Sequence, residues 1–146
     1  MKPPAEEQVQ IVDRQNRISG SIARSIMRRE GLTHRASYIL VFNDKNEFFL
    51  QKRTMTKDIY PGYWDVAAGG VVLAGESYEE SARRELAEEL GITASLTFLF
   101  DHYYEDHRNR VWGRIFHCRH EGPFVLQAEE VAFGRFITIA EALALS

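Results

Sequence analysis

Glu85, Glu88 and Glu89 are the residues of this chain best suited to chemistry. On a helix, their i, i+3 and i+4 spacing puts three carboxylates on one face. Like charges at that spacing repel by about 0.2–0.5 kcal/mol per pair. Lying near a helix C-terminus, each also opposes the macrodipole by roughly 0.3–1 kcal/mol. The first half of the segment is balanced, because Glu79 can pair with Arg83 and Glu80 with Arg84. An isolated E-x-x-E-E is usually a solvated acidic face, and an Arg84–Glu88 pair softens the repulsion. A hard divalent cation removes the conflict, and clustered carboxylate oxygens suit Mg²⁺ or Mn²⁺. Zinc is not expected, since the chain has no paired cysteines and no H-E-x-x-H run.

The element that must carry these carboxylates is a helix from Tyr78 to Leu90. Ser77 and Glu80 form a capping-box pattern, Ala82, Leu86 and Leu90 form an apolar stripe, and Gly91 stands where a left-handed cap is needed. Around it the sequence predicts strands. Val9 to Val12 and Ile18 to Ala23 flank the turn-like Asp13-Arg14-Gln15-Asn16. Ser25 to Glu30 reads as a helical turn ended by Gly31. Arg35 to Phe42 and Glu47 to Arg53 flank a turn at Asn43-Asp44-Lys45-Asn46. Pro61-Gly62 breaks the chain before Trp64. Leu96 to Glu105 and Arg110 to Arg119 form another hairpin, Phe133 to Ile137 a last strand, and Thr138 an N-cap for a short C-terminal helix. Mixed strands with few helices indicate α+β or α/β layers.

With 146 residues, one domain over 1–146 is expected, with the polar residues 1–8 as a frayed end. The formal net charge of −3 offers no basic excess to coat a nucleic acid, so no stable nucleic-acid partner is expected. Cys118 is the only cysteine, which excludes an intrachain disulfide and fits a reducing, cytoplasmic setting. The start, MKPPAEEQ, lacks an apolar signal core, and no apolar run approaches membrane-spanning length.

From Gly70 to Ile92 the spacing is G-x5-E-x7-R-E-L-x-E-E-x-G-I. It resembles the Nudix box at every defined position, a match expected by chance on the order of 10⁻⁸ per starting position. That outweighs the solvated-face reading. The resemblance implies an α/β/α sandwich around a mixed sheet and metal-dependent hydrolysis of a diphosphate linkage. It implies that Glu85, Glu88 and Glu89 ligate metal, with a backbone carbonyl from Gly69 or Gly70 nearby. It also implies that Arg84 pairs with Glu76 as scaffold. Water then attacks phosphorus with help from a general base. Glu88 or Glu89 is the first candidate for that base and Glu130 the second.

Beyond the box, residues 32–36, Gln51 to Lys57 and Tyr60 to Asp65 resemble the isopentenyl-diphosphate-isomerase-like branch, and especially a group of small bacterial Nudix proteins within it. In the isomerase, positions matching Arg53 and Lys57 contact the substrate diphosphate. The isomerase's catalytic cysteine falls at Gly69 here, Cys118 lies on a later hairpin, and the box is complete; these departures favour hydrolysis. His34 matches a metal-binding histidine of the isomerase, but without its companion it reads better as a hydrogen-bonded residue at a strand start. Arg110 and Arg114 are candidates for a second phosphate, and Tyr103, Tyr104 and Trp112 for base stacking. The expected substrate is a small diphosphate, a nucleoside diphosphate or one linked to another group. The alternatives are a prenyl-diphosphate isomerase and a silent Nudix-fold binding module. A homodimer is left open.

Overall fold

The computed structural model describes residues 3–55, 62, 64–65, 67–127 and 131–144. Among these residues, nine strands join in one mixed sheet: β1 (Gln8–Val12), β2 (Ile18–Ala23), β3 (Thr33–Phe42), β4 (Phe48–Arg53), β5 (Trp64–Asp65), β6 (Ala67–Val71), β7 (Thr97–Glu105), β8 (Arg110–Arg119) and β9 (Val131–Ile137). Three α-helices among the described residues accompany it: α1 (Arg24–Glu30), α2 (Tyr78–Leu90) and α3 (Ile139–Ala144). This is the α+β architecture expected. Among the described residues, no helix is long and apolar enough to cross a membrane.

β3 is the organising strand. It runs antiparallel to β6 from Ala36↔Val71 to Leu40↔Ala67 and parallel to β8 from Thr33↔Arg110 to Phe42↔Arg119. Its odd positions Ile39 and Val41 join Ala82, Leu86 and Leu90 of α2 in the main core, with Phe116 and Cys118 from β8. Burying each leucine contributes roughly 1.5–3 kcal/mol. One polar contact stitches the layers, Ser37 Oγ to Ser81 Oγ at 3.0 Å. A second cluster fixes α1, where Met27 packs against Val9 and Val71.

The turns follow local chemistry. Asp13 Oδ1 accepts from the amides of Gln15 and Arg17, both at 2.9 Å, and Asn43 Oδ1 accepts from those of Lys45 and Glu47. Two features differ from the sequence expectation. The polar N-terminal segment is tied down from Pro4: residues Pro4–Glu6 form a 3-10 turn and the Arg24 amide donates to Glu7 O at 2.8 Å. Strand β6, Ala67–Val71, has no alternating pattern to announce it; pairing with β3 creates it.

Helix α3 has only six residues, none of them buried, although Thr138 and Glu141 cap it reciprocally. The even face of β3, with β7 and β8, is an open trough of about 430 Å³ lined by Tyr38, Phe100, Tyr104, Val111 and Ile115.

Candidate active site

Helix α2 is lashed to the loop before it. Ser77 and Glu80 form a full capping box, and Gly91 closes the other end in the left-handed region. Arg84 then ties helix to loop. Its Nε and Nη2 donate to Glu76 at 2.6 and 3.0 Å, a bidentate pair. Its Nη1 donates to Glu85 at 2.8 Å and to Glu88 at 3.2 Å, and Nη2 also reaches Val71 O at 3.3 Å. Glu76 in turn accepts from the Leu73 amide at 2.9 Å. Burial works against the Arg84 charge, but the hydrogen bonds to Glu76 and the charges of Glu85, Glu76 and Glu88 outweigh it, so its proton affinity rises further.

The glycine pair fits between carboxylates. Gly69 has φ +150°, and a Cβ there would lie 2.0 Å from the backbone oxygen of Ser37; only glycine allows β6 to approach β3 this closely. A Cβ on Gly70 would lie 2.8 Å from the Glu85 carboxyl carbon, so the Glu85 carboxylate packs directly on bare backbone. Glu89, 3% exposed, accepts from Gln51 Nε2 at 3.0 Å and from the Gly69 amide at 3.4 Å. Gln51 Nε2 also donates to Ala67 O at 3.0 Å, which fixes the orientation of its amide. Glu88 is half exposed. Burial first, then the charge of Glu85, raises its proton affinity, against the pull of Arg84.

Among the described residues, no three acidic, histidine or cysteine side chains converge tightly enough to hold an ion as they stand. The donor set nonetheless fits a hard cation. Glu85 and Glu89 press on adjacent glycines from one helix, Glu88 lies between them in sequence, and every donor is oxygen. The guanidinium of Arg84 already supplies positive charge to Glu85 and Glu88.

Beside the glycine strand lies a cleft of about 290 Å³, lined by residues including Arg24, Arg28, His34, Tyr38, Gln51, Arg53, Asp65, Gly69 and Gly70. The three helix glutamates do not line it; Glu89 sits one hydrogen bond behind Gln51 and Gly69. Arg53 is in this cleft, whereas Lys57 and Glu130 lie outside the described residues. His34 is buried, with Nδ1 3.0 Å from Leu32 O. Tyr38 is pushed up to about 12, by burial and then by the charge of Asp65.

Other candidates are engaged elsewhere. Arg110 donates to Gly31 O at 2.8 Å and approaches Glu105 at 3.7 Å, away from the glycine cleft. Arg114 makes a bidentate pair with Asp101 and stacks over Tyr78. Tyr103 and Trp112 pack on each other, and the Trp112 indole donates to Arg14 O. Cys118 is buried in the core, which pushes its thiol up to about 11. Sequence reasoning gave no role to Gln51, Arg24, Arg28 or Tyr38. The i, i+4 spacing of Arg24 and Arg28 was a usable signal; a buried glutamine on a strand carries none.

The NUDIX domain family matches residues 32–146. The chain is 46% identical over 129 residues to the uncharacterized Nudix hydrolase PA4841 of Pseudomonas aeruginosa, covering 86% of this chain and 75% of that protein. It is 47% identical over 129 residues to the uncharacterized Nudix hydrolase YfcD of Escherichia coli K12, covering 86% and 71%. Among solved structures, DR0079 from Deinococcus radiodurans superposes with a TM-score of 0.81 at 24% identity, covering 95% of this chain and 88% of that one. That likeness is one of fold.

Proposed function

The chain belongs to the Nudix hydrolases, which act on pyrophosphate bonds, and we propose that it hydrolyses a small organic diphosphate with Mg²⁺ or Mn²⁺. The substrate is a nucleoside diphosphate or one linked to a further group. The observation that carries this reading is the buried Glu89 carboxylate, held on Gln51 and the Gly69 amide at the edge of an arginine-lined cleft.

Glu85, Glu88 and Glu89, with the Gly70 carbonyl, are the groups that would hold the ion. When bound, the ion neutralises phosphate oxygens and makes water a better nucleophile. Arg53, with Arg24 and Arg28 in the same cleft, holds the diphosphate; guanidinium forks match its geometry and charge. Lys57 is assigned the same task by resemblance. Gln51 keeps Glu89 in one rotamer. We assign the proton-accepting role to Glu88, because it is the most exposed of the three carboxylates and so the one that water reaches most readily. Glu89 and Glu130 are the alternatives. Arg84 and Glu76 hold the loop against the helix, so that the carboxylates keep their spacing.

Purified Glu88→Gln and Glu89→Gln test the assignment in a metal titration over a diphosphate panel run in ¹⁸O water. Full Mg²⁺-dependent rates in both variants would refute it. No label in any product from the parent chain removes hydrolysis as the account and leaves a silent binding module. A rearranged carbon skeleton without phosphate release would signal an isomerase. Gly69 argues against that outcome, because a side chain there meets the Ser37 backbone.

A further inference from the structure

A second cleft, of about 330 Å³, adjoins the glycine cleft and is basic. Arg28, Arg29, His107, Arg108 and Arg110 line it, with Glu30 the one carboxylate among the described residues of its wall. The two clefts meet at a shared partition. Arg28 lines both, and its Nη1 donates at 3.4 Å to Asn109, which lines the glycine cleft. A charge-neutral explanation covers only part of this cluster. Arg28 and Arg29 stand in the last turn of α1, where the helix dipole favours cations. Arg110 spends Nη1 on the α1 cap at Gly31 O. Arg108 comes from a different element, the β7–β8 turn, and neither caps nor pairs. Its backbone amide is fixed by Asp106 Oδ1 at 2.7 Å, while among the described residues its side chain makes no hydrogen bond or ion pair. On a chain of net charge −3, four guanidinium groups around one concavity, against Glu30 at 3.4 Å from Arg29 and Glu105 at 3.7 Å from Arg110, still leave a positive excess there.

We infer that this cleft is a subsite for a second anionic group on the substrate, a phosphomonoester carried on the organic part and remote from the diphosphate. Guanidinium groups are suited to a phosphate's oxygens. The shared Arg28 sets the relation between the groups: the diphosphate lies on the Gly69–Gly70 side and the extra phosphate on the Arg29–Arg108 side. The inference deepens the proposed function and rests on it for the position of the diphosphate. The subsite selects among diphosphates and takes no part in bond breaking.

The test uses the full chain and matched pairs that differ by one remote phosphate: NADP⁺ against NAD⁺, and coenzyme A against dephospho-coenzyme A. In at least one pair, kcat/KM is about tenfold or more higher for the phosphorylated member, as one or two charge-assisted hydrogen bonds imply, with the gain mainly in KM. Arg108→Ala and Arg29→Ala abolish the preference, leave the rate on the unphosphorylated member unchanged, and Arg108→Lys restores part of it. Binding needs no turnover: adenosine 3′,5′-bisphosphate is bound more tightly than adenosine 5′-monophosphate by calorimetry, and Arg108→Ala removes the difference. Equal kcat/KM within both pairs together with equal binding overturns the subsite and leaves diphosphate hydrolysis standing. Hydrolysis of no member removes these four from the substrates of the proposed hydrolase, and the binding comparison then decides the subsite alone.

Discussion

Gly70→Ala separates folding from catalysis at a single methyl group. The new Cβ would come within 2.8 Å of the Glu85 carboxyl carbon and one of its oxygens, where ordinary contact begins at 3.4 Å. The obstacle is the end of a flexible side chain rather than backbone, so the carboxylate retreats by about 0.6 Å and the strand stays in place. Moving it loosens the 2.8 Å bond from Arg84, a charge-assisted bond worth about 1.5–3 kcal/mol at most. The variant recovers about 0.4–1 kcal/mol from a stiffer unfolded chain. The net loss is below about 2.6 kcal/mol, a fall in Tm of several degrees. Catalysis is less forgiving: a misplacement approaching 1 Å costs about 10²-fold, so a loss of roughly 10–100-fold in kcat/KM is expected. Thermal unfolding, a Mn²⁺ titration by electron paramagnetic resonance and steady-state hydrolysis on one preparation give the three readouts. A variant that keeps parental metal affinity and rate would show that the Glu85–Gly70 contact is without functional consequence. A variant that does not fold would refute the steric argument.

Gly69→Ala meets the Ser37 carbonyl oxygen instead, at 2.0 Å with φ +150°; a loss of at least about 3 kcal/mol is expected, read as failure to fold or a collapsed urea midpoint. Gln51→Leu strips a donor from the buried Glu89 carboxylate and should cost about 1–3 kcal/mol in urea unfolding; an unchanged midpoint sinks the idea that Gln51 holds it. Cys118 has a folded pKa of about 11 against an ordinary 9.0. Its contribution is therefore complete below pH 9 and lost as pH rises to 11, worth about 2–3 kcal/mol. Cys118→Ala should flatten that part of the alkaline stability profile, and an equally steep decline would contradict the burial argument. Chelation with EDTA should abolish turnover yet leave a cooperative unfolding transition, since metal at a hundredfold its Kd adds only about 2.7 kcal/mol; an unfolded chelated chain would count against this.

Helix α2 was legible to the residue because its capping box, apolar stripe and terminal glycine all point to one answer. β8 was equally legible from Arg110 to Arg119. Strand β6 was not, because Ala67–Val71 owes its conformation to pairing with β3 rather than to propensity. At the site, spacing alone put Glu85, Glu88 and Glu89 on one helix, but it could not say that they face different surroundings. Glu85 lies on Gly70, Glu88 is half in solvent and Glu89 is sealed behind Gln51. Nor could it separate Arg53, in the glycine cleft, from Arg110, which is committed to the α1 cap. Those distinctions depend on which strand lies beside which, and on long-range pairs such as Gln51 with Glu89, 38 residues apart.

The electrostatic conflict that marks α2 in the sequence is resolved twice, by different means. Glu85 and Glu88 share the guanidinium of Arg84, itself anchored on Glu76. Glu89 turns inward and takes donors from Gln51 and the Gly69 amide. The helix therefore folds with Glu85 and Glu88 compensated by a guanidinium and with Oε1 of Glu89 held by two neutral donors. Compensation by a guanidinium is also reversible: in the proposed reaction Glu88, the most exposed of the three and held by the longer Arg84 contact at 3.2 Å, would exchange that contact for an ion or for a proton from water. Glu85 and Glu89, fixed against adjacent glycines, keep their geometry while it does so. On this reading the motif's spacing divides the work, with two carboxylates that stay and one that is free to change partners.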